Sequence, residues 1–182
     1  HPDGSLYLMG VDRYYGNIQI ARSVDRRTWT RFAKITGTDG PLAAPGTNTA
    51  PPNYATAGGL RLVIHDGHVF LGFENMDPYT WYNGFRSFLL YAPVDGNLLD
   101  RRSWKATTQL VIGAHGFNSD AGFLEANTVA DDAGQLWNIL RFSGTGVADK
   151  AVFLPIAWDG TTATMPAWNS AFIKDFPGGH LK

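Results

Sequence analysis

The sequence contains no cysteine among its 182 residues. Disulfide bonds, thiolate catalysis and cysteine-ligated metals are therefore excluded, while the redox compartment stays open. An excess of charge of one sign is lacking as well, since 15 Lys and Arg nearly cancel 16 Asp and Glu, and no basic run stands out. Nucleic acids and anionic membrane surfaces are bound through such runs. The composition therefore favours a neutral partner, or an acidic one held locally, and argues against nucleic acid.

Long hydrophobic runs are also missing. No apolar stretch approaches the roughly 18 residues of a membrane span, and residues 1–6 lack the charged and apolar regions of a signal peptide. Apolar and aromatic residues are nevertheless abundant, at 44% and 13%. That content is ample for a buried core and argues against disorder.

Three segments of the chain resemble one another. Each contains a glycine turn, at Gly4, Gly67 and Gly134, and these glycines are 63 and 67 residues apart. Short β-rich runs separated by turn residues follow each glycine, and no helical period competes with them. A four-stranded antiparallel unit repeated at this spacing is typical of a β-propeller, in which each unit is one blade. A β-sandwich is the alternative architecture.

The repeats predict an all-β fold with about three blades in a single domain. The blades cover residues 1–57, 58–121 and 122–176, and residues 177–182 begin the next one. Both ends of the sequence cut through blades, and an incomplete propeller would leave sheet edges bare. We therefore expect the remainder of the propeller in the same chain or in an associated one.

Residues 123–141 are predicted to form a β-hairpin whose turn lies at 131–134. Facing positions then have numbers that sum to about 266, which places Glu125 opposite Arg141. Apolar residues in both strands indicate that the hairpin is largely covered. The charge pair at its open end is therefore either a structural salt bridge or part of a functional site.

The order of strands in a blade assigns this pair to one face. The Asp-Gly turns share the bottom face, whereas Glu125 and Arg141 reach the top. Glu74 follows Gly67 by seven residues, as Arg141 follows Gly134, so Glu74 takes the equivalent top position one blade earlier. Two carboxylates facing one central cavity suit glycoside hydrolysis. We therefore predict Glu125, Arg141 and Glu74 as catalytic residues.

Longer loops on the top face are rich in aromatic and polar residues. Aromatic rings stack on the apolar face of a sugar while polar side chains bind its hydroxyls, although such rings also pack on neighbouring blades. No paired-ligand spacing indicates a metal, and no cofactor is predicted. The predicted substrate-binding residues are Arg13, Tyr79, Trp81, Tyr82, His115, Asn127 and His180.

Residues 23–29 resemble the Asp-box of sialidase-like proteins, with one residue fewer and without its usual glycine, and residues 100–104 are a weaker match. In that family the Asp and Ser bond turn amides and the Trp packs between strands, far from the active site. Short polar side chains do satisfy turn amides in general. We therefore interpret four residues as structural: Asp25, Trp29, Asp100 and Trp104.

The hairpin at residues 123–141 carries a second resemblance to sialidases. Sialidases have a Glu followed sixteen residues later, across an Asp-Gly turn, by an Arg, and Glu125 and Arg141 keep that spacing. The resemblance implies a six-bladed, secreted or periplasmic protein in which this Glu polarises a tyrosine nucleophile and this Arg binds a substrate carboxylate. Residues 123–127 and 176–182 look still more like bacterial sialidase-like propellers. Of the family's other catalytic positions, the first arginine and the acid Asp are expected before His1 or are absent, and the third arginine and the nucleophilic Tyr are expected beyond Lys182.

The leading hypothesis is a glycoside hydrolase-like enzyme that cleaves a terminal glycosidic bond of a carbohydrate in a central top-face pocket. Glu125 would act as the nucleophile or as the base that activates a tyrosine. One alternative is a glycan-binding propeller without catalysis. Another is a polysaccharide lyase with a His or Tyr base, in which Arg141 neutralises a uronate.

Overall fold

Strands and turns make up almost all of the part of the chain that the structure describes. The computed structural model describes residues 1–11, 17–35, 54–55, 62–76, 85–110, 122–143 and 150–175. These residues contain thirteen strands, and their helical segments are short 3-10 turns at Arg101–Ser103 and Ser170–Phe172. The all-β fold class is confirmed. Closure into a propeller stays a prediction.

The first antiparallel meander is a three-stranded sheet in the order β1-β2-β3. Ile18, Ile20 and Ala21 of its central strand are almost fully buried, as expected for a strand with β-branched residues between two partners. Its strands are β1 (Leu6–Val11), β2 (Ile18–Ser23) and β3 (Ala33–Lys34).

The second meander is built around two nine-residue strands, β6 and β7, which pair along their whole length. Two short strands, β4 and β5, both pair with β6, and β8 pairs with β7. Because β4 pairs here, the second meander includes residues from the end of the repeat predicted at 1–57. Its strands are β4 (Tyr54–Ala55), β5 (Val63–His65), β6 (His68–Met76), β7 (Phe85–Pro93) and β8 (Lys105–Ala106).

The third meander has the order β9-β10-β11, and both β12 and β13 pair with β11. One parallel residue pair, Phe85 with Gly122, connects it to the second meander. Its strands are β9 (Gly122–Ala130), β10 (Leu136–Ser143), β11 (Lys150–Trp158), β12 (Ala163–Thr164) and β13 (Ile173–Asp175).

The second meander lies between two hydrophobic cores, one shared with each neighbour. Successive strand residues point to opposite faces of a sheet. Accordingly Val69, Leu71 and Phe73 pack with the first meander, whereas Phe70 packs with the third. The three meanders therefore stack face to face in chain order, the arrangement that successive propeller blades require.

Tight turns meet at one end of this stack, which we call the turn end. Trp158 Nε1 donates a hydrogen bond to Asp66 Oδ2 at 2.8 Å, and the Trp158 ring lies edge-on to His68 with centroids 4.7 Å apart. Lys105 Nζ donates to Thr161 O at 3.4 Å. The loops after β5, β7 and β11 thus share one face, as the order of strands predicts.

Aspartates bond the backbone amides of these turns. Asp25 Oδ1 accepts from Arg27 N and Thr28 N at 2.8 and 2.7 Å, and Asp100 Oδ1 accepts from Arg102 N at 2.9 Å. The Thr28 hydroxyl, which donates to Asp25 Oδ2 at 2.6 Å, and then the two backbone amides hold the pKa of Asp25 far below its usual value. The structural interpretation of both aspartates is confirmed.

The two tryptophans that follow these aspartates differ. Trp104 is fully buried and donates from Nε1 to Leu98 O at 2.9 Å. Trp29 is 44% exposed, so the prediction that it packs between strands was wrong. Trp104 packs in the hydrophobic cluster between the first and second meanders, whereas Trp29 precedes the short outer strand β3.

Candidate active site

Glu125 lies at a β-bulge near the start of β9. The predicted hairpin register is confirmed for residues 127–130 opposite 136–139, whose numbers sum to 266. Beyond them the register shifts and Arg141 pairs with Leu124, so β9 contains one extra residue. Direct opposition of Glu125 and Arg141 was therefore wrong by one position, because a hydrophobic alternation pattern does not reveal an inserted residue.

The bulge places Glu125 in a rare backbone conformation. Its φ is 56°, in the left-handed region that residues other than glycine seldom adopt. Asn127 Nδ2 donates to the carbonyl oxygen of Glu125 at 3.0 Å and ties this backbone down. The side chain therefore leaves the strand in a direction that regular pairing would not give.

Glu125 and Arg141 nevertheless form the predicted ion pair. Arg141 Nη1 donates to Glu125 Oε1 at 2.6 Å, and the two side chains are 30% and 39% exposed. Partly exposed ion pairs add little stability, about 0 to 1 kcal/mol. The small gain in stability from this ion pair therefore does not by itself explain the strained backbone at Glu125.

Glu74 comes close to the same point from the neighbouring meander. It lies near the end of β6, and its Oε1 accepts a hydrogen bond from Ala126 N at 2.9 Å. The side chain is 1% exposed, so it does not line an open cavity as predicted. The physical reason is close packing of β6 on β9, since a Cβ on Gly72 would lie 2.9 Å from Ala126 backbone atoms.

Burial changes the protonation of Glu74. Loss of hydration raises the pKa of its carboxyl to about 7, and the negative charge of Glu125 adds to this. Backbone N–H groups of Ala126 and Glu125, and the charge of Arg141, act in the opposite direction. Oε2 has no hydrogen-bond partner among the described residues. Glu74 is thus held in an environment that favours its neutral form.

Further buried polar residues continue from Glu74 between the second and third meanders. Asn138 Nδ2 donates to Ser87 Oγ at 3.2 Å. Ser87 pairs with Glu74 across β6 and β7, and Thr128 pairs with Asn138 across β9 and β10. Sequence reasoning missed Ser87, Thr128 and Asn138, although a polar residue such as Asn138 within an apolar strand is a usable signal. We call the four the polar strip: Glu74, Ser87, Thr128 and Asn138.

The structure brings together Glu125, Arg141 and Asn127, and places Glu74 beneath them. We call this region the carboxylate end, because it lies where β6 ends and β9 begins, away from the turn end. Six other predicted site residues lie outside the described residues: Arg13, Tyr79, Trp81, Tyr82, His115 and His180.

The described ranges contain neither a metal-binding cluster nor a membrane-spanning helix. They contain no group of three or more His, Asp or Glu residues arranged to hold a metal ion. No helix within them is long and apolar enough to cross a membrane.

The fold and site define an all-β protein of stacked antiparallel meanders with a partly exposed carboxylate–arginine pair at one end. No protein-family model and no curated protein matches the sequence. Among solved structures, the chain is similar to an alpha-L-arabinofuranosidase from Lactobacillus brevis, with 15% identity and a TM-score of 0.49. The match covers 88% of this chain and 50% of that structure. The chain thus spans about half the length of that protein, and a similarity of this size says nothing about its activity.

Proposed function

We propose that the protein is a glycoside hydrolase whose reaction is centred on Glu125, with Arg141 as its partner. The observation that carries this proposal is a partly exposed carboxylate held at a β-bulge with φ of 56° and paired to a guanidinium at 2.6 Å. Bulges and strained residues are concentrated next to active sites, where they aim a side chain. A purely structural salt bridge needs no such backbone.

Hydrolysis of a glycoside breaks the bond between the anomeric carbon and the leaving oxygen. Water supplies a hydroxyl group to the carbon and a proton to the departing alcohol. A carboxylate serves this reaction either by attacking the anomeric carbon or by accepting a proton from the attacking water or from a tyrosine. Glu125 takes one of these two roles.

Arg141 has two uses in this scheme. Its bond to Oε1 fixes the orientation of the Glu125 carboxylate, since a planar guanidinium holds a carboxylate directionally. With 39% of its side chain exposed, it also presents N–H donors to a substrate oxygen. A sugar hydroxyl or a sugar carboxylate would both accept these donors.

The proposal is tested by incubating the protein with a panel of terminally varied oligosaccharides in H₂¹⁸O and analysing the products by mass spectrometry. Hydrolysis puts one ¹⁸O atom on the new reducing end. An unlabelled, unsaturated product would identify a lyase, and saturable binding without a product would identify a glycan-binding protein. Either of these results contradicts the proposal.

The chain offers a matched control for the ion pair itself. Asp100 and Arg102 form an ion pair with the same 2.6 Å separation at the turn end. We expect Glu125→Gln to abolish ¹⁸O incorporation and Asp100→Asn to leave it unchanged. Equal loss in both variants would mean that ion pairs act here through folding alone.

A further inference from the structure

We infer that Glu74 is a positioning residue that fixes the backbone at Ala126 and thereby the direction of the Glu125 side chain. This inference rests on the proposed function, because Glu125 is taken as the reacting group. It replaces the direct catalytic role that the sequence predicts for Glu74, since a side chain that is 1% exposed does not reach a substrate.

The first support is the bond to the bulge. Residues 124 and 127 of β9 are paired with β10, whereas Glu125 and Ala126 share the position opposite Leu140. The Ala126 N–H, next to the bulged residue, is bonded to Glu74 Oε1 at 2.9 Å. A group from a different meander thus determines where this amide points.

The second support is the packing around that amide. Gly72, two residues before Glu74 on β6, approaches Ala126 so closely that an added Cβ would lie 2.9 Å from its carbonyl carbon and oxygen. Residues 72 and 74 face the same side of β6. Ala126 is therefore in contact with β6 through both its carbonyl and its N–H. Glu125, whose φ is 56°, is thus directly followed by a residue that β6 holds in place.

The third support is the chemistry of the position. Ionic groups close to Glu74 are Glu125 and Arg141, which act on it with opposite sign. Glu74 Oε2 is buried without a hydrogen-bond partner among the described residues, whereas Oε1 accepts the hydrogen bond from Ala126 N. What this side chain supplies is one acceptor oxygen at the bulge, and a neutral amide would supply the same oxygen.

Three variants of the protein separate this role from simple packing. Glu74→Gln keeps the acceptor and removes the ionisable group, whereas Glu74→Met fills similar space without an acceptor. Ser87→Ala removes a neighbour that is equally buried and bonds Asn138 rather than Ala126. Hydrogen exchange at the Ala126 amide is measured with residue resolution, and kcat and KM are measured on the substrate found with the glycan panel.

We expect exchange at Ala126 to increase about tenfold or more in Glu74→Met and to stay within about threefold of the parent in the other two variants. We expect kcat to fall about 100-fold in Glu74→Met with KM nearly unchanged, because a displaced reacting group impairs chemistry more than binding. Glu74→Gln should retain most of the activity.

Unchanged exchange in Glu74→Met would overturn the inference, and so would equal effects of Glu74→Met and Ser87→Ala. Exchange does not depend on turnover, so the two proposals fail separately. If the parent protein hydrolyses nothing while Glu74→Met frees the Ala126 amide, the contact with the bulge stands and the catalytic purpose is refuted.

Discussion

The two faces of the second meander differ in chemistry. The face toward the first meander carries a large hydrophobic cluster, with Phe73, Leu90 and Trp104 among its largest members. The face toward the third meander is apolar near the turn end, where Phe70 and Tyr91 stack, and polar at the carboxylate end, where the polar strip begins. One sheet thus has an apolar face and a face whose polar part adjoins the candidate site.

The difference has a physical consequence. Burial of apolar side chains favours folding, whereas buried polar atoms that lack partners oppose it. Glu74 Oε2, Asn138 Oδ1 and Thr128 Oγ1 have no hydrogen-bond partner among the described residues. We therefore expect changes on the apolar face to reduce stability most and changes at the carboxylate end to reduce function most.

The largest loss of stability is predicted for Trp104→Ala. This variant removes a fully buried indole and leaves Leu98 O without its donor, so the free energy of unfolding should fall by about 3 to 5 kcal/mol. Urea denaturation measures this. Trp29→Ala, at a position that is exposed, is the matched control and should change stability by less than about 1 kcal/mol. A similar loss in both variants would remove the distinction between the two turns.

The next largest effect is a pH dependence that comes from Glu74. Its pKa rises from 4.5 to about 7 on folding, so the native state binds more protons than the unfolded state between these values. The free energy of unfolding should therefore decrease by about 3 kcal/mol as the pH rises through this window and then level off.

Urea titrations of the parent protein and of Glu74→Gln at several pH values isolate this contribution. The variant should lack the decrease, because an amide does not ionise. Parallel curves for the two proteins would show that Glu74 ionises normally and would contradict the buried environment described for it.

Gly72→Ala is expected to have an intermediate effect. The new methyl group would meet Ala126 at 2.9 Å, so β6 and β9 must separate at a cost of about 1 to 3 kcal/mol. Hydrolytic activity should fall by more than the loss of folded protein explains, because the bulge that carries Glu125 moves. Gly10→Ala is the control, since a Cβ there meets nothing within 4 Å. Equal stability and activity in the two variants would contradict close packing at the carboxylate end.

The smallest effect is predicted for Asp25→Ala at the turn end. This change removes acceptors for two turn amides and the Thr28 hydroxyl in an exposed loop. Stability should fall slightly, and activity should not change. Thermal unfolding and turnover are the measurements, and a loss of turnover without a loss of stability would place function at the turn end instead.

The sequence predicts regular features of this fold better than local exceptions. Glycine turns, strand order and the hairpin register from residue 127 to 130 follow from alternation and turn chemistry, which are local properties. The bulge at Glu125 depends on Gly72 and Glu74, which come from another meander. Exposure of Trp29 likewise depends on what packs beside β3, and a motif resemblance carries no such information.

The ion pair of Glu125 and Arg141 was predictable, but its setting was not. A spacing of sixteen residues across a turn is sufficient to bring the two side chains together. Burial of Glu74 depends on the separation of two sheets, which an equivalent position in a repeat does not determine. The site therefore keeps its predicted pair, whereas Glu74, predicted to line an open cavity, is buried beneath the pair.

The most direct test of this account compares Glu125→Gln with the parent protein in both turnover and stability. Gln preserves the size of the side chain and removes the carboxylate. We predict a loss of hydrolysis by about 1,000-fold or more, with a midpoint of thermal unfolding within a few degrees of the parent. Retained hydrolysis, or a collapse of stability that accounts for the lost activity, would show that the pair is structural.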